Sequence, residues 1–350
     1  MKKVLLAFCI VSSCFTLACS KKGVTPPPPQ TDTTYKPSVV SASFAKGADI
    51  SWVTQFEASG VKFYNKNGSQ QDLFALIKSL GFNSIRLRAF VNPSDGWCNT
   101  ADVVAKAIRA KNAGMKIMID FHYSDVWADP GHQTKPAAWA SLDFPTLLTT
   151  MYNYTTGVMT ALKTNGITPD WVQVGNETSD GMLWEDGRAS TKMANFAALI
   201  KNGYSAVKSV SSTTKVIVHI ANGYDNSLFE WIFDGLKANG AQWDIIGMSL
   251  YPSYSNSGWQ TIDNECLSNI NALISRYSTP VMVVEVGMPA SPASTARDFL
   301  TDIIKKANSV SGGNGLGVFY WEPEAYNNGY GLGAFDSTGK PAEALDAFGN

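Results

Sequence analysis

Two short stretches hold the residues best suited to do chemistry. WVQVGNE at Trp171–Glu177 is an apolar strand that delivers Asn176 and Glu177 at its carboxyl end, and PVMVVE at Pro280–Glu285 is a second β-branched strand ending in a glutamate. An ionised carboxylate is costly to bury unless it is paired, so packing alone accounts for neither glutamate. Two strand-end carboxylates suit a reaction that needs one carboxyl as general acid and base and the other as nucleophile or base. Cleavage of a glycosidic bond is such a reaction.

The elements that must position this pair follow from the alternation of the chain. From Ser43 onward β-rich runs alternate with amphipathic helical runs, which predicts a parallel sheet covered by helices. The strands are expected at Ser43–Ala48, Ser84–Ala89, Lys116–Phe121, Trp171–Gly175, Lys215–Ile220, Ile245–Leu250, Val281–Glu285 and Gly317–Trp321. Gly81, Gly114, Gly166 and Gly240 read as turns that close helices. Eight strands in strict alternation predict one (β/α)8 TIM barrel over residues 43–350. An open doubly wound sheet is the second choice; it lacks a G-x-G-x-x-G after the first strand and a phosphate loop.

In a barrel the carboxyl ends of the strands converge on one mouth. Those ends supply Asp49, Arg86 and Arg88, His122 and Tyr123, Asn176 and Glu177, His219 and Asn222, Tyr251, Glu285, and Trp321 with Glu322. Arg86 and Arg88 are two residues apart and point to the same side, so one of them is expected to orient a glutamate and keep it ionised. Glu322 is given a supporting role. The long loop from Tyr123 to Ala140, with Asp125, Trp127, Asp129 and Trp139, is expected to wall the cleft.

Composition narrows the ligand. Across 350 residues the net charge is −1, without the basic excess of a nucleic-acid partner. Of ten tryptophans, Trp97, Trp127, Trp139, Trp184, Trp259 and Trp321 sit in or beside loops and strand ends, where indole faces can stack on sugar rings. His122, His132 and His219 match no compact ligand spacing, so neither a metal nor another cofactor is expected. Cys98 and Cys266 fall in the second and sixth repeat units, across the barrel from each other, and are read as unpaired.

The amino terminus reads as an export signal. Lys2 and Lys3 precede a short apolar run from Val4 to Leu17, too short to span a membrane. Cys19 after Leu17 and Ala18 is similar to a bacterial lipobox, with Thr16 where leucine is usual, so residues 1–18 are expected to be a lipoprotein signal peptide and Cys19 the lipidated residue. Residues 19–42, with four prolines at 26–29, are expected to be a disordered tether. The protein is thus read as exported, held to a membrane only by its lipid, on the cell surface, and monomeric.

GADIS at Gly47–Ser51, RLRAFVNP at Arg86–Pro93, DFHYSDVWADP at Asp120–Pro130 and VGNE at Val174–Glu177 resemble, in that order, the motifs of glycoside hydrolase family 53. The Asp120–Pro130 run, with Gln133, Pro136 and Trp139 after it, is the specific part. The resemblance implies an endo-β-1,4-galactanase acting on β-1,4-galactan side chains of pectin and on galacto-oligosaccharides, within a clan of retaining (β/α)8 hydrolases. It implies Glu177 as acid/base, Glu285 as nucleophile, Asn176 on the 2-hydroxyl of the reacting sugar, Tyr251 near the nucleophile and Trp321 as platform. Retention implies carboxyls about 5 Å apart and a covalent galactosyl intermediate. Some bacterial relatives bind calcium through an acidic loop after strand seven; Met288–Ser294 has no carboxylate, and no calcium is expected there. Other retaining endo-glycanases, a mannanase or xylanase, are the alternative within enzymes. A non-catalytic oligosaccharide-binding lipoprotein is the alternative outside them, and it would need neither the eightfold repeat nor the paired glutamates.

Overall fold

A computed structural model describes residues 35–289 and 291–349. The expected signal peptide, the expected lipidation residue Cys19 and most of the expected tether lie outside the described residues. The compact unit begins at Pro37, six residues before the expected start of the domain: Val40 packs on the core and the Ser41 N–H donates to Asn308 Oδ1 at 3.0 Å.

The strands are β1 (Ala45–Asp49), β2 (Ser84–Ala89), β3 (Lys116–Phe121), β4 (Trp171–Val174), β5 (Lys215–Ile220), β6 (Ile245–Leu250), β7 (Val281–Val286) and β8 (Gly315–Trp321). They form a closed parallel barrel in chain order, with β8 pairing back to β1. Among the described residues eight helices surround it, α1 (Val53–Ala58), α2 (Leu73–Ser79), α3 (Thr100–Asn112), α4 (Phe144–Thr164), α5 (Ala189–Val210), α6 (Asn226–Ala238), α7 (Trp259–Tyr277) and α8 (Ala293–Ser309). Helix α1 and the two short hairpins, Phe63–Tyr64 with Gln70–Gln71 and Gly181–Met182 with Gly187–Arg188, were not expected; each is too short to show a periodicity.

Local chemistry sets the helix ends. Asp72, Asn99, Asp143 and Asp225 each accept a backbone N–H three residues on, the N-cap that starts α2, α3, α4 and α6. Gly81, which follows α2 at φ 98°, leaves no room for a Cβ, which would lie 2.2 Å from the Phe348 carbonyl oxygen.

The larger apolar core lies between barrel and helices, and a smaller one of Ala45, Met118, Trp171, Ile217, Ile245, Met282, Val284 and Phe319 fills the barrel interior. Phe319 takes the space that Gly47 leaves empty, since a Cβ there would fall 2.0 Å from its ring. Above this plug the inward positions turn polar. Counting by twos along β2 and β3 gives Arg86, Arg88, Asp120 and His122 on the inside, with Phe121 and Tyr123 facing the helices.

Candidate active site

The centre of the mouth is one guanidinium. Arg86 is fully buried; its Nε donates to Gln173 Oε1 at 2.7 Å and its Nη2 to Asn176 Oδ1 at 2.8 Å. It also pairs with Asp49 at 2.7 Å, Asp120 at 2.9 Å and Glu285 at 3.0 Å. Burying this charge is tolerable because its donors are satisfied and three carboxylates face it. Arg86 is therefore the arginine that orients a glutamate; Arg88 pairs with Glu322 at 2.9 Å and lies 3.9 Å from the centroid of the Trp127 ring, bracing the aromatic wall from below.

A break in strand regularity turns the second glutamate inward. On β7, Val283 faces Met248 and Glu285 faces Ser249, so Val284 is an extra residue and Val284 and Glu285 both point into the barrel. Glu285 then meets Arg86 on one oxygen and the Tyr251 hydroxyl, which donates at 2.7 Å, on the other. Glu177 follows β4 with a left-handed φ of 45°, a conformation that costs energy in a non-glycine residue. Its N–H donates to His219 Nδ1 at 3.3 Å.

The two carboxyls sit in different electrostatic settings. Burial, with the neighbouring Glu285 charge, raises Glu177 to about 8, while Ser249 and Arg86 pull it down only in part. Burial also raises Glu285, but there Arg86 and the Tyr251 hydrogen bond oppose it. Glu177 is thus protonated near neutral pH, and Glu285 is the partner that Arg86 favours as an anion. Desolvation also pushes His122 and His219 below the ordinary imidazole range, so both are neutral. His122 accepts the Ala128 N–H on Nδ1 at 2.9 Å and turns Nε2 to Asp120 at 2.9 Å, which ties the strand-three loop to the charge layer.

Both glutamates open on a cleft of about 410 Å³ lined also by His122, Trp127, Asn176, Asn222, Tyr251 and Trp321. Asn176 donates one amide proton to Ala128 O at 2.8 Å, leaving the other for a ligand. Among the described residues no group of three or more His, Cys, Asp or Glu is placed to hold a metal ion.

The family model for glycosyl hydrolase family 53 matches residues 45–348. The chain belongs to glycosyl hydrolase family 53. An arabinogalactan endo-β-1,4-galactanase of Thermothelomyces thermophilus is 36% identical over 333 residues, which cover 87% of this chain and 98% of that protein. Among solved structures, one from a study of two fungal β-1,4-galactanases superposes with TM-score 0.81 at 32% identity, covering 87% of this chain and 98% of that one. The family 53 catalytic domain of Ignisphaera aggregans superposes with TM-score 0.79 at 28% identity, covering 89% and 99%.

Six expected sugar contacts of this family 53 hydrolase lie elsewhere. Tyr123 turns outward by strand parity: it is buried, stacks on Phe121 at 5.4 Å and shares a 2.9 Å hydrogen bond with Thr155 of α4. Asp125 accepts the N–H groups of Asn92 and Ala137, both at 2.9 Å, and so fastens its loop rather than facing the cleft. Asp49, Arg86, Arg88 and His219 are buried beneath the cleft floor and act through other side chains. Cys98 and Cys266 are free and buried.

Several cleft and floor residues are not among the expected site residues. Asp120, Gln173 and Ser249 lie two residues before His122, two after Trp171 and two before Tyr251, so inward parity would have found them. Gln133, part of the motif that follows Pro130, donates its amide to Asn176 O at 2.8 Å. Tyr254, in the short 3-10 turn Pro252–Tyr254, and Tyr330, in a loop, line the cleft where no periodicity points inward.

Proposed function

We propose that this protein is an endo-β-1,4-galactanase that cleaves galactan by retaining double displacement. The observation that carries the mechanism is the division of labour between Glu177, raised to about 8, and Glu285, paired with Arg86 and Tyr251. The Glu285 carboxylate attacks the anomeric carbon while Glu177 gives its proton to the leaving glycosidic oxygen. This forms a galactosyl ester on Glu285 and releases the shortened chain. Glu177, now ionised, takes a proton from water, whose oxygen displaces Glu285 and restores the starting enzyme. Asn176 holds the 2-hydroxyl with its remaining amide proton, and the Trp321 indole lies under the same sugar. The galactanase relatives support the substrate.

The amino-terminal signature supports an exported enzyme tethered to a membrane by lipid on Cys19, working as a monomer on pectin galactan at the cell surface. The test of substrate is incubation of residues 37–350 with linear β-1,4-galactan, β-mannan and xylan, with Glu177→Gln and Glu285→Gln as controls. Short galacto-oligosaccharides from galactan alone, lost in both variants, are expected. Cleavage of mannan or xylan instead would overturn the substrate assignment.

A further inference from the structure

Strand β6 and the residue that follows it carry two hydroxyls two residues apart that face the cleft, Ser249 and Tyr251. Tyr251 serves Glu285. Ser249 is buried, lines the cleft beside Glu177, and lies 2.7 Å from His219 Nε2.

The network around His219 decides which atom carries the proton. Gln173 is oriented by Arg86, which donates to its oxygen, and by Asp120, which accepts from its nitrogen at 3.1 Å. That nitrogen therefore presents N–H to His219 Nδ1 at 2.9 Å, and the Glu177 N–H points at the same atom. Asn176 Oδ1 also lies 3.0 Å from Nδ1, and the Arg86 proton it accepts offsets that contact. With two donors converging on Nδ1, the imidazole proton sits on Nε2 and is donated to Ser249 Oγ. The serine proton is then free to point away from His219, toward the acid/base.

We propose that Ser249 is a positioning residue for Glu177: His219 fixes its oxygen, and its hydroxyl donates to the Glu177 carboxyl. This rests on the reading of Glu177 as acid/base. The carboxyl end of β6 then supplies a separate hydroxyl to each carboxyl, which keeps the two roles apart within one small cleft. The donation favours the ionised Glu177, the form that must accept a proton from water in the second step. The groups facing Glu177 are the Glu285 and Asp129 carboxylates, the Arg86 guanidinium, the neutral His219, and the Tyr251 and Tyr254 phenols. Of the uncharged hydroxyls, Ser249 is the one that lowers it.

The test is Ser249→Ala in the full chain, read in two ways. The alkaline limb of kcat/KM on linear galactan reports loss of the Glu177 proton, and carboxyl ¹³C NMR titration of Glu177 reports the same event without substrate. Both are expected to move up by about half to one pH unit, with kcat down about tenfold, because the ionised form loses a donor. Ser249→Thr keeps the hydroxyl and is expected to restore the midpoint. An unmoved NMR midpoint in Ser249→Ala would overturn the proposal and place the serine proton on His219 instead. If the midpoint moves but the wild type leaves galactan intact, the positioning role stands and the substrate reading falls.

Discussion

Replacing Glu177 with glutamine should make this enzyme inactive and more stable. Burial and the Glu285 charge hold the folded carboxyl at about 8 against the ordinary 4.5, so at neutral pH the folded protein keeps a proton that the unfolded chain gives up. The stabilisation tied to that proton is fully present below pH 4.5 and is lost as pH rises through 8. At pH 7 the roughly 2.5 pH units above the ordinary value, at about 1.4 kcal/mol each, set a ceiling of about 3 kcal/mol. Glu177 is only partly buried where it faces the cleft, and solvent screening there reduces the figure to about 2 kcal/mol. Glutamine imitates the protonated carboxyl and has no proton to lose. Urea denaturation of both proteins should show Glu177→Gln ahead by about 2 kcal/mol at pH 7 and level with the wild type near pH 4. A gain of the same size at both pH values, or none at pH 7, would refute the reasoning, because the effect would then have no link to the proton.

Other perturbations separate the remaining roles. Tyr251→Phe removes the donor that opposes the raised Glu285 carboxyl, so the acid limb of kcat/KM should move to higher pH and kcat should fall by about 10- to 100-fold, measured on galactan. Arg86→Lys leaves Asp49, Asp120 and Glu285 around one point charge without the planar fork, and should cost about 3–5 kcal/mol in urea denaturation. Tyr123→Phe loses one hydrogen bond at the helix interface, so it should lower stability by about 1 kcal/mol and leave KM for galactan unchanged. Cys19→Ser should abolish incorporation of labelled fatty acid and move the protein from the detergent phase to the aqueous phase.

The barrel was legible because eight strand signals alternate with helix signals along the chain, and six of the expected strands match within one residue at both ends. Glu177, Glu285 and Asn176 were legible because a carboxylate or amide at the end of an apolar strand has no packing reason to be there. The errors came from geometry that residue type does not carry. Tyr123 sits beside His122 at the mouth, yet strand parity sends its ring to α4. Asp125 lies in the expected loop, yet it is spent on two backbone N–H groups.

Periodicity and costly residue types at particular places were enough to read the alternation of strands and helices, a candidate carboxylate pair and the family from the chain alone. Tertiary structure alone decided which arginine meets which glutamate. Arg86 and Arg88 share one strand face, and only the closure of the barrel, with the extra residue Val284 on β7, brings Glu285 to Arg86 while Glu322 meets Arg88. Those contacts set the electrostatic difference between the Glu177 and Glu285 carboxyls, because charge pairing in a buried layer depends on distances that a linear chain does not specify.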